Sequence, residues 1–172
     1  QKEIMTSDNW LYCREVAEKS MVLLKNENQV LPFSKEIKTI AVIGPLADNK
    51  FDMIGGWSAG GDRYSKPVTL LEGVKNKLGN GATVLYAKGT DFNTSSTAGF
   101  DEAVRIAKMA DAVLLAIGES NNMSAEAKSR SMIGLPGNQN QLVDAIIQAN
   151  KNTVVILMNG RPLTIQHLDE VA

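Results

Sequence analysis

One cysteine and one histidine in 172 residues remove several chemistries at the outset. With Cys13 alone an internal disulfide is impossible, and its place in an amphipathic helical pattern reads as a core thiol. His167 has no cysteine or histidine neighbour in sequence, which argues against zinc and leaves a surface histidine as its reading. Ser/His/Asp catalysis fails for want of a placed imidazole, and Gly118-Glu119-Ser120 is not a nucleophile elbow. No apolar run approaches the roughly 20 residues a membrane span requires. Neither sign of charge dominates: 18 basic residues stand against 19 acidic ones, for a net charge of -1. No Lys/Arg run marks a nucleic-acid or lipid-headgroup footprint, so polyanionic partners are not expected. Phosphate motifs are missing too, since neither G-x-x-x-x-G-K-[ST] nor G-x-G-x-x-G occurs between a strand and a helix. The glycines of Gly55-Gly56-Trp57-Ser58-Ala59-Gly60-Gly61 lie far from any strand end with that spacing, and no cofactor or metal is expected.

What remains is the composition of an ordinary compact α/β protein, with 14 glycines and 44% hydrophobic residues. The length suits one domain with a single sizeable core. A helix is predicted over residues 8–25, with Ser7 or Asp8 as N-cap and Trp10, Cys13, Ala17, Met21 and Leu24 on its inner face. A β-branched run over 39–45, stopped by Gly44-Pro45, reads as the first central strand. The glycine-rich stretch 48–66, which carries Trp57 and Tyr64, is long enough to be a binding loop. Then follow a helix over 68–78 closed by Gly79, a strand over 82–87, and a helix over 100–109 with Asp101 and Glu102 favourably placed in its first turn. A strand over 112–118, a helix over about 138–150 facing inward through Leu142, Val143, Ile146 and Ile147, and a strand over 153–158 complete the pattern. Alternating strands and helices mark right-handed parallel crossovers, so the expected fold is a three-layer α/β/α sandwich with a mostly parallel, Rossmann- or flavodoxin-like sheet. A short element follows Gly160-Arg161-Pro162, where one more strand is expected. Residues 1–172 are therefore expected to form one domain cut from a longer polypeptide.

Glu119 ends the buried strand over 112–118, and in an open α/β sheet ligands sit outside the carboxyl ends of the strands. The loop behind it supplies a second carboxylate, Glu126, with Lys128, Arg130 and several amides, a mixture that suits a sugar better than a phosphate or a metal. A carboxyl desolvated at a strand end holds its proton toward neutrality and can donate it to a leaving group. The alternative is that Glu119 binds a helix N-terminus or pairs with Lys128 or Arg130. Trp57 either offers an aromatic face to the C–H surface of a sugar or packs under its own glycine loop.

Several blocks of sequence carry a resemblance. They are Ser20-Met21-Val22-Leu23-Leu24-Lys25-Asn26-Glu27 with Leu31-Pro32-Phe33, then Ile40-Ala41-Val42-Ile43-Gly44-Pro45-Leu46-Ala47-Asp48, then Gly55-Gly56-Trp57-Ser58 and Leu71-Glu72-Gly73. Further along stand Gly118-Glu119, Glu126-Ala127-Lys128-Ser129-Arg130, Leu135-Pro136-Gly137 and Met158-Asn159-Gly160-Arg161-Pro162-Leu163. In order and spacing these resemble the C-terminal domain of family 3 glycoside hydrolases, most closely that of bacterial periplasmic β-glucosidases. The resemblance implies a periplasmic or secreted retaining exo-hydrolase acting on β-glucosides or oligosaccharides. It also implies an N-terminal TIM-type barrel that carries the aspartate nucleophile, with this domain covering the pocket and supplying the acid/base. The acid/base maps to Glu119, with Glu126 as its competitor, and the substrate-binding candidates are Trp57, Ser58, Glu126 and Arg130. Glu126 and Arg130 also read as a loop-ordering pair, and Arg161 as a tie for the turn after the last strand. The rival reading is a non-catalytic α/β module binding carbohydrate or nucleotide.

Overall fold

The computed structural model describes residues 6–58 and 67–172. Tyr64, Gly60 and Gly61 of the glycine-rich stretch lie outside the described residues. The elements run α1 (Ser7–Ser20), β1 (Thr39–Ile43), α2 (Lys50–Met53), α3 (Leu70–Leu78), β2 (Thr83–Ala87), α4 (Phe100–Met109), β3 (Ala112–Gly118), α5 (Gln139–Ala149), β4 (Thr153–Met158) and α6 (Gln166–Val171). The four strands are all parallel, in the order β2-β1-β3-β4. The expected α/β/α sandwich is therefore the observed fold. The chain builds outward from β1 to β2 and then crosses back to β3, so the order reverses between β1 and β3.

Alternation along the strands divides the core into two layers. Ala41 and Ile43 of β1 with Val113, Leu115 and Ile117 of β3 face α4, α5 and α6, where Ala103, Ile106, Leu142, Val143, Ile146 and Leu168 are buried. Ile40 and Val42 with Ala116 face the other way, against Leu46, Leu71 and Phe92. Both faces of the central strands are thus covered, which is why they read as unbroken apolar runs rather than alternating ones. Each fully buried Leu or Ile contributes about 1.5–3 kcal/mol over its exposed state.

Local signals explain several element ends. Thr69 caps α3 by accepting from the Glu72 backbone N–H at 3.1 Å, while the Glu72 carboxylate accepts from the Thr69 N–H at 3.1 Å, a reciprocal capping box. A hydrogen bond from Lys50 holds the Glu72 carboxyl below its ordinary range, with the Thr69 N–H acting in the same direction. Gly79 closes α3 at φ 52°, as expected from its place after Leu78.

Two expectations fail. The first helix spans Ser7–Ser20 rather than 8–25, with Thr6 as its N-cap. None of its residues is buried: Trp10 is 48% exposed, and Cys13 is exposed rather than a core thiol. Met21 and Leu24 lie past its end, because Met21 is already extended. Periodicity announces an apolar face without saying what covers it, and the sheet does not. The stretch after β1 is also not wholly irregular, since Asn49 caps the short helix α2 by accepting from the Asp52 N–H at 3.0 Å.

At the amino ends of the central strands, Asp111, just before β3, is tied to the start of β1. Its carboxylate accepts from the backbone N–H groups of Lys38 and Thr39, both at 2.8 Å, and these bonds, Lys38 first, hold its pKa below the ordinary 3.8. A depressed carboxyl stabilises the fold above its unfolded pKa and loses that contribution as pH falls through the folded value. Asp111→Asn should therefore lower the melting temperature at neutral pH and flatten its fall below about pH 4. Parallel thermal-melt profiles against pH for the two proteins would mean that these bonds do not form.

Candidate functional site

The carboxyl ends of β1 and β3, where the strand order reverses, are the standard place for a ligand crevice in a doubly wound sheet. Two loops meet there. The Asp52 carboxylate, on α2 after β1, accepts from the Asn121 backbone N–H at 2.6 Å, on the loop after β3. A Cβ on Gly56 would fall 2.6 Å from the Ala125 Cβ and 2.7 Å from the Asn121 carbonyl oxygen. Only a residue without a side chain lets the two backbones approach so closely.

Glu119 leaves the end of β3 through Gly118, whose φ of 144° and missing Cβ allow the chain to pass under the Met158 carbonyl; a Cβ there would lie 1.9 Å from that oxygen. The backbone N–H of Glu119 donates to the Met158 carbonyl at 3.0 Å, fixing the side chain's origin. Its side chain is 1% exposed, with Oε1 2.5 Å from Arg130 Nη1 and 3.4 Å from Arg161 Nε. Arg130 donates a hydrogen bond, whereas the Arg161 contact is an ion pair only. Oε2 of Glu119 and Nε of Arg161 are buried without a hydrogen-bond partner among the described residues.

Both guanidiniums continue into the loop over 119–137. Arg130 Nη2 donates to the Gly134 carbonyl at 3.2 Å. Arg161 Nη2 donates to the carbonyls of Met123 and Lys128, the latter at 2.8 Å. The loop's two ends are joined by the fully buried Gln139, which accepts from the Gly118 N–H at 2.9 Å and donates to the carbonyls of Gly118 at 2.8 Å and Pro136 at 3.0 Å. At its tip the Lys128 N–H donates to the Ala125 carbonyl at 3.1 Å, and Ala127 adopts φ 57°, a left-handed conformation costly for a residue with a Cβ. Glu126, next to it, is exposed and has no side-chain partner among the described residues.

The sequence-stated candidates are therefore sorted by their surroundings. Glu119, Glu126 and Arg130 share one loop, and Arg130 pairs with Glu119, one of the alternatives read for that residue, rather than with Glu126; Glu119 at the strand end is buried and Glu126 is exposed. Arg161 does not tie down its own turn. Asn159 does that, donating to the Arg161 carbonyl at 2.6 Å, and frees the guanidinium to cross to the neighbouring loop. Trp57 is 71% exposed rather than packed under its own loop, and Ser58 beside it is half-buried. His167 lies 2.8 Å from Asp144, remote from this crevice in sequence and on α6. No group of three or more His, Cys, Asp or Glu side chains suited to a metal occurs among the described residues. Asp52 and Gln139 went unnoticed in the sequence. Asp52 had a local signal in Asn49 three residues earlier, an N-cap spacing, whereas Gln139 had none, since a glutamine at a helix start reads as a surface residue.

The profile of the glycosyl hydrolase family 3 C-terminal domain matches residues 21–172. A periplasmic beta-glucosidase of Salmonella typhimurium is 42% identical over 179 residues, which cover 92% of this chain and 23% of the relative. A beta-xylosidase of Formosa agariphila is 39% identical over 98% of this chain and 24% of its own length. Among solved structures, a beta-glucosidase from Listeria innocua in complex with gluconolactone superposes with a TM-score of 0.85 at 32% identity, covering 99% of this chain and 23% of that one. A family 3 exo-beta-xylosidase gives a TM-score of 0.82 at 37% identity, over 95% and 20% respectively. The chain thus spans about a quarter of the length of the relatives it matches.

Removing Glu119 leaves two arginines facing each other with their counter-charge gone. Glu119→Ala should cost about 3–5 kcal/mol of unfolding free energy, the usual toll for breaking a buried pair by deleting one partner. Urea denaturation of the 172-residue chain measures this. A loss under about 1 kcal/mol, typical of an exposed pair, would contradict a desolvated network.

Proposed function

The chain belongs to the glycosyl hydrolase family 3 C-terminal domain family, and from that membership we propose that it forms one side of a split active site in a retaining, exo-acting β-glucosidase-like enzyme. Its substrates are terminal non-reducing β-D-glycosyl residues of oligosaccharides or small β-glucosides. In this reading residues 1–172 are a single sandwich domain of a longer polypeptide, whose N-terminal barrel carries the aspartate nucleophile and most of the sugar subsite. The periplasm or the cell exterior is its compartment, in keeping with the periplasmic Salmonella relative.

Retaining hydrolysis needs a nucleophile and an acid/base carboxyl about 5 to 5.5 Å apart across the scissile bond. We assign the acid/base to Glu126 rather than Glu119. The observation that carries the assignment is the contrast in availability: Glu126 stands in solvent at the tip of a braced loop, while the side chain of Glu119 is 1% exposed and already holds Arg130 and Arg161. A proton donor must come within hydrogen-bond reach of the leaving oxygen, and only Glu126 is free to do so. As the glycosidic C–O bond breaks, the Glu126 carboxyl passes its proton to the leaving oxygen and the nucleophile takes C1. The resulting carboxylate then accepts a proton from the water that attacks the glycosyl-enzyme. Trp57, exposed and one residue after the Gly56 that lies against Ala125, would wall the leaving-group side with Ser58 beside it. Arg130 serves the loop rather than the sugar.

The full-length polypeptide should hydrolyse aryl β-glucosides, and the 172-residue chain alone should not; turnover by the short chain would refute the split site. In the full-length protein Glu126→Gln should slow hydrolysis of alkyl β-glucosides by about 10²–10⁴-fold while leaving dinitrophenyl β-glucosides much less affected, because an activated leaving group needs little protonation. Azide should restore turnover of the activated substrate in this variant. Should Glu119→Gln show that leaving-group split and azide rescue while Glu126→Gln does not, the two carboxylates have been assigned the wrong way round.

A further inference from the structure

The geometry points to Arg161 as a positioning residue that sets the height and direction of Glu126, an inference that rests on the reading of Glu126 as proton donor. Arg161 belongs to the turn after β4, not to the loop it serves. One of its terminal nitrogens, Nη2, donates to two carbonyls that bracket the glutamate, Met123 three residues before it and Lys128 two residues after. Drawing both carbonyls inward forces the four residues between them to arch outward. The arch closes through the Lys128 N–H to Ala125 carbonyl bond and the left-handed Ala127, so the Glu126 backbone has little freedom left.

Three further contacts agree with this role. Gly160, beside Arg161, lets the arch descend, since a Cβ there would lie 2.7 Å from the Ser124 Oγ. Glu119 places a buried counter-charge 3.4 Å from Nε, which draws the guanidinium to the base of the loop. The turn over 159–161 is closed independently by the Asn159 side chain, so Arg161 is not needed to form its own turn. A guanidinium has the planar fork for holding two carbonyls and a carboxylate together; a lysine ammonium is a point charge on a flexible stem. Displacing a proton donor by about 1 Å costs on the order of 10²-fold in rate, and the loss falls on substrates that need the proton.

The test compares Arg161→Ala and Arg161→Lys with the parent, all in the full-length polypeptide, by kinetics and by amide hydrogen exchange. For Arg161→Ala, kcat/KM on methyl β-glucoside should fall by about 10²-fold and that on dinitrophenyl β-glucoside by less than about 3-fold. The amides of residues 121–129 should exchange at least about 10-fold faster, with β3 and α5 unchanged. Arg161→Lys keeps the charge opposite Glu119 and should fold even if the alanine variant does not, with the same split at smaller amplitude. Equal losses on both substrates, or unchanged exchange at 121–129 in either variant, would overturn the inference. If Glu126→Gln shows the leaving-group split and neither Arg161 variant does, the positioning role fails and the proton-donor reading stands. If the Arg161 variants speed exchange at 121–129 but Glu126→Gln shows no split, the proton-donor reading is the one that fails.

Discussion

A charged carboxylate at the dry end of a parallel sheet is tolerated only where cations reach it, and Glu119 is held in that position by Arg130 and Arg161. The rest of the candidate site depends on this cluster. Arg130 comes from within the loop after β3 and Arg161 from the turn after β4, so one buried charge joins two strand ends that the chain reaches about forty residues apart. Each arginine also donates through Nη2 to loop carbonyls, Arg130 to Gly134 and Arg161 to Met123 and Lys128. A loop with no helix or strand of its own thereby acquires a fixed shape, which long loops otherwise lack.

The sheet supplies the frame for that cluster. Because β1 and β3 are covered on both faces, they meet the crevice at their carboxyl ends, and the groups of the candidate site come from the segments that follow β1, β3 and β4 and from the start of α5. Close backbone approach completes it. Gly118 passes beneath Met158, Gly56 lies against Ala125, and Gly160 lies against Ser124. At Gly118 and Gly56 a methyl group would have to displace backbone, and at Gly160 the side chain of Ser124, so these walls tolerate little added bulk.

The division of labour between the two glutamates follows from depth. Glu119 is one residue past the strand and is caught in the interior; Glu126 is seven residues further, at the turn of the loop, and stays in solvent. Ala127 beside it adopts the left-handed conformation, at some cost in local strain. The loop is thus anchored at its base by a buried charge and presents an exposed one at its tip.

The amino-acid sequence by itself determined the alternation of strands and helices, the two-sided burial of β1 and β3, the bounds of α4, β3 and β4, and the presence of two carboxylates beyond β3. Those features are written in short-range pattern: unbroken apolar runs, helical periodicity and terminal glycines such as Gly79. It also held the blocks that tie the chain to its family. Only the tertiary structure decided which carboxylate is buried, that Arg130 turns to Glu119 rather than Glu126, and that Arg161 and Gln139 cross from other elements to close the loop. It likewise decided that the apolar face of α1 meets no part of the sheet that buries it. The reason is physical: partners far apart along the chain are chosen by which backbone atoms and charges the fold leaves unsatisfied in space, and no local pattern encodes that choice.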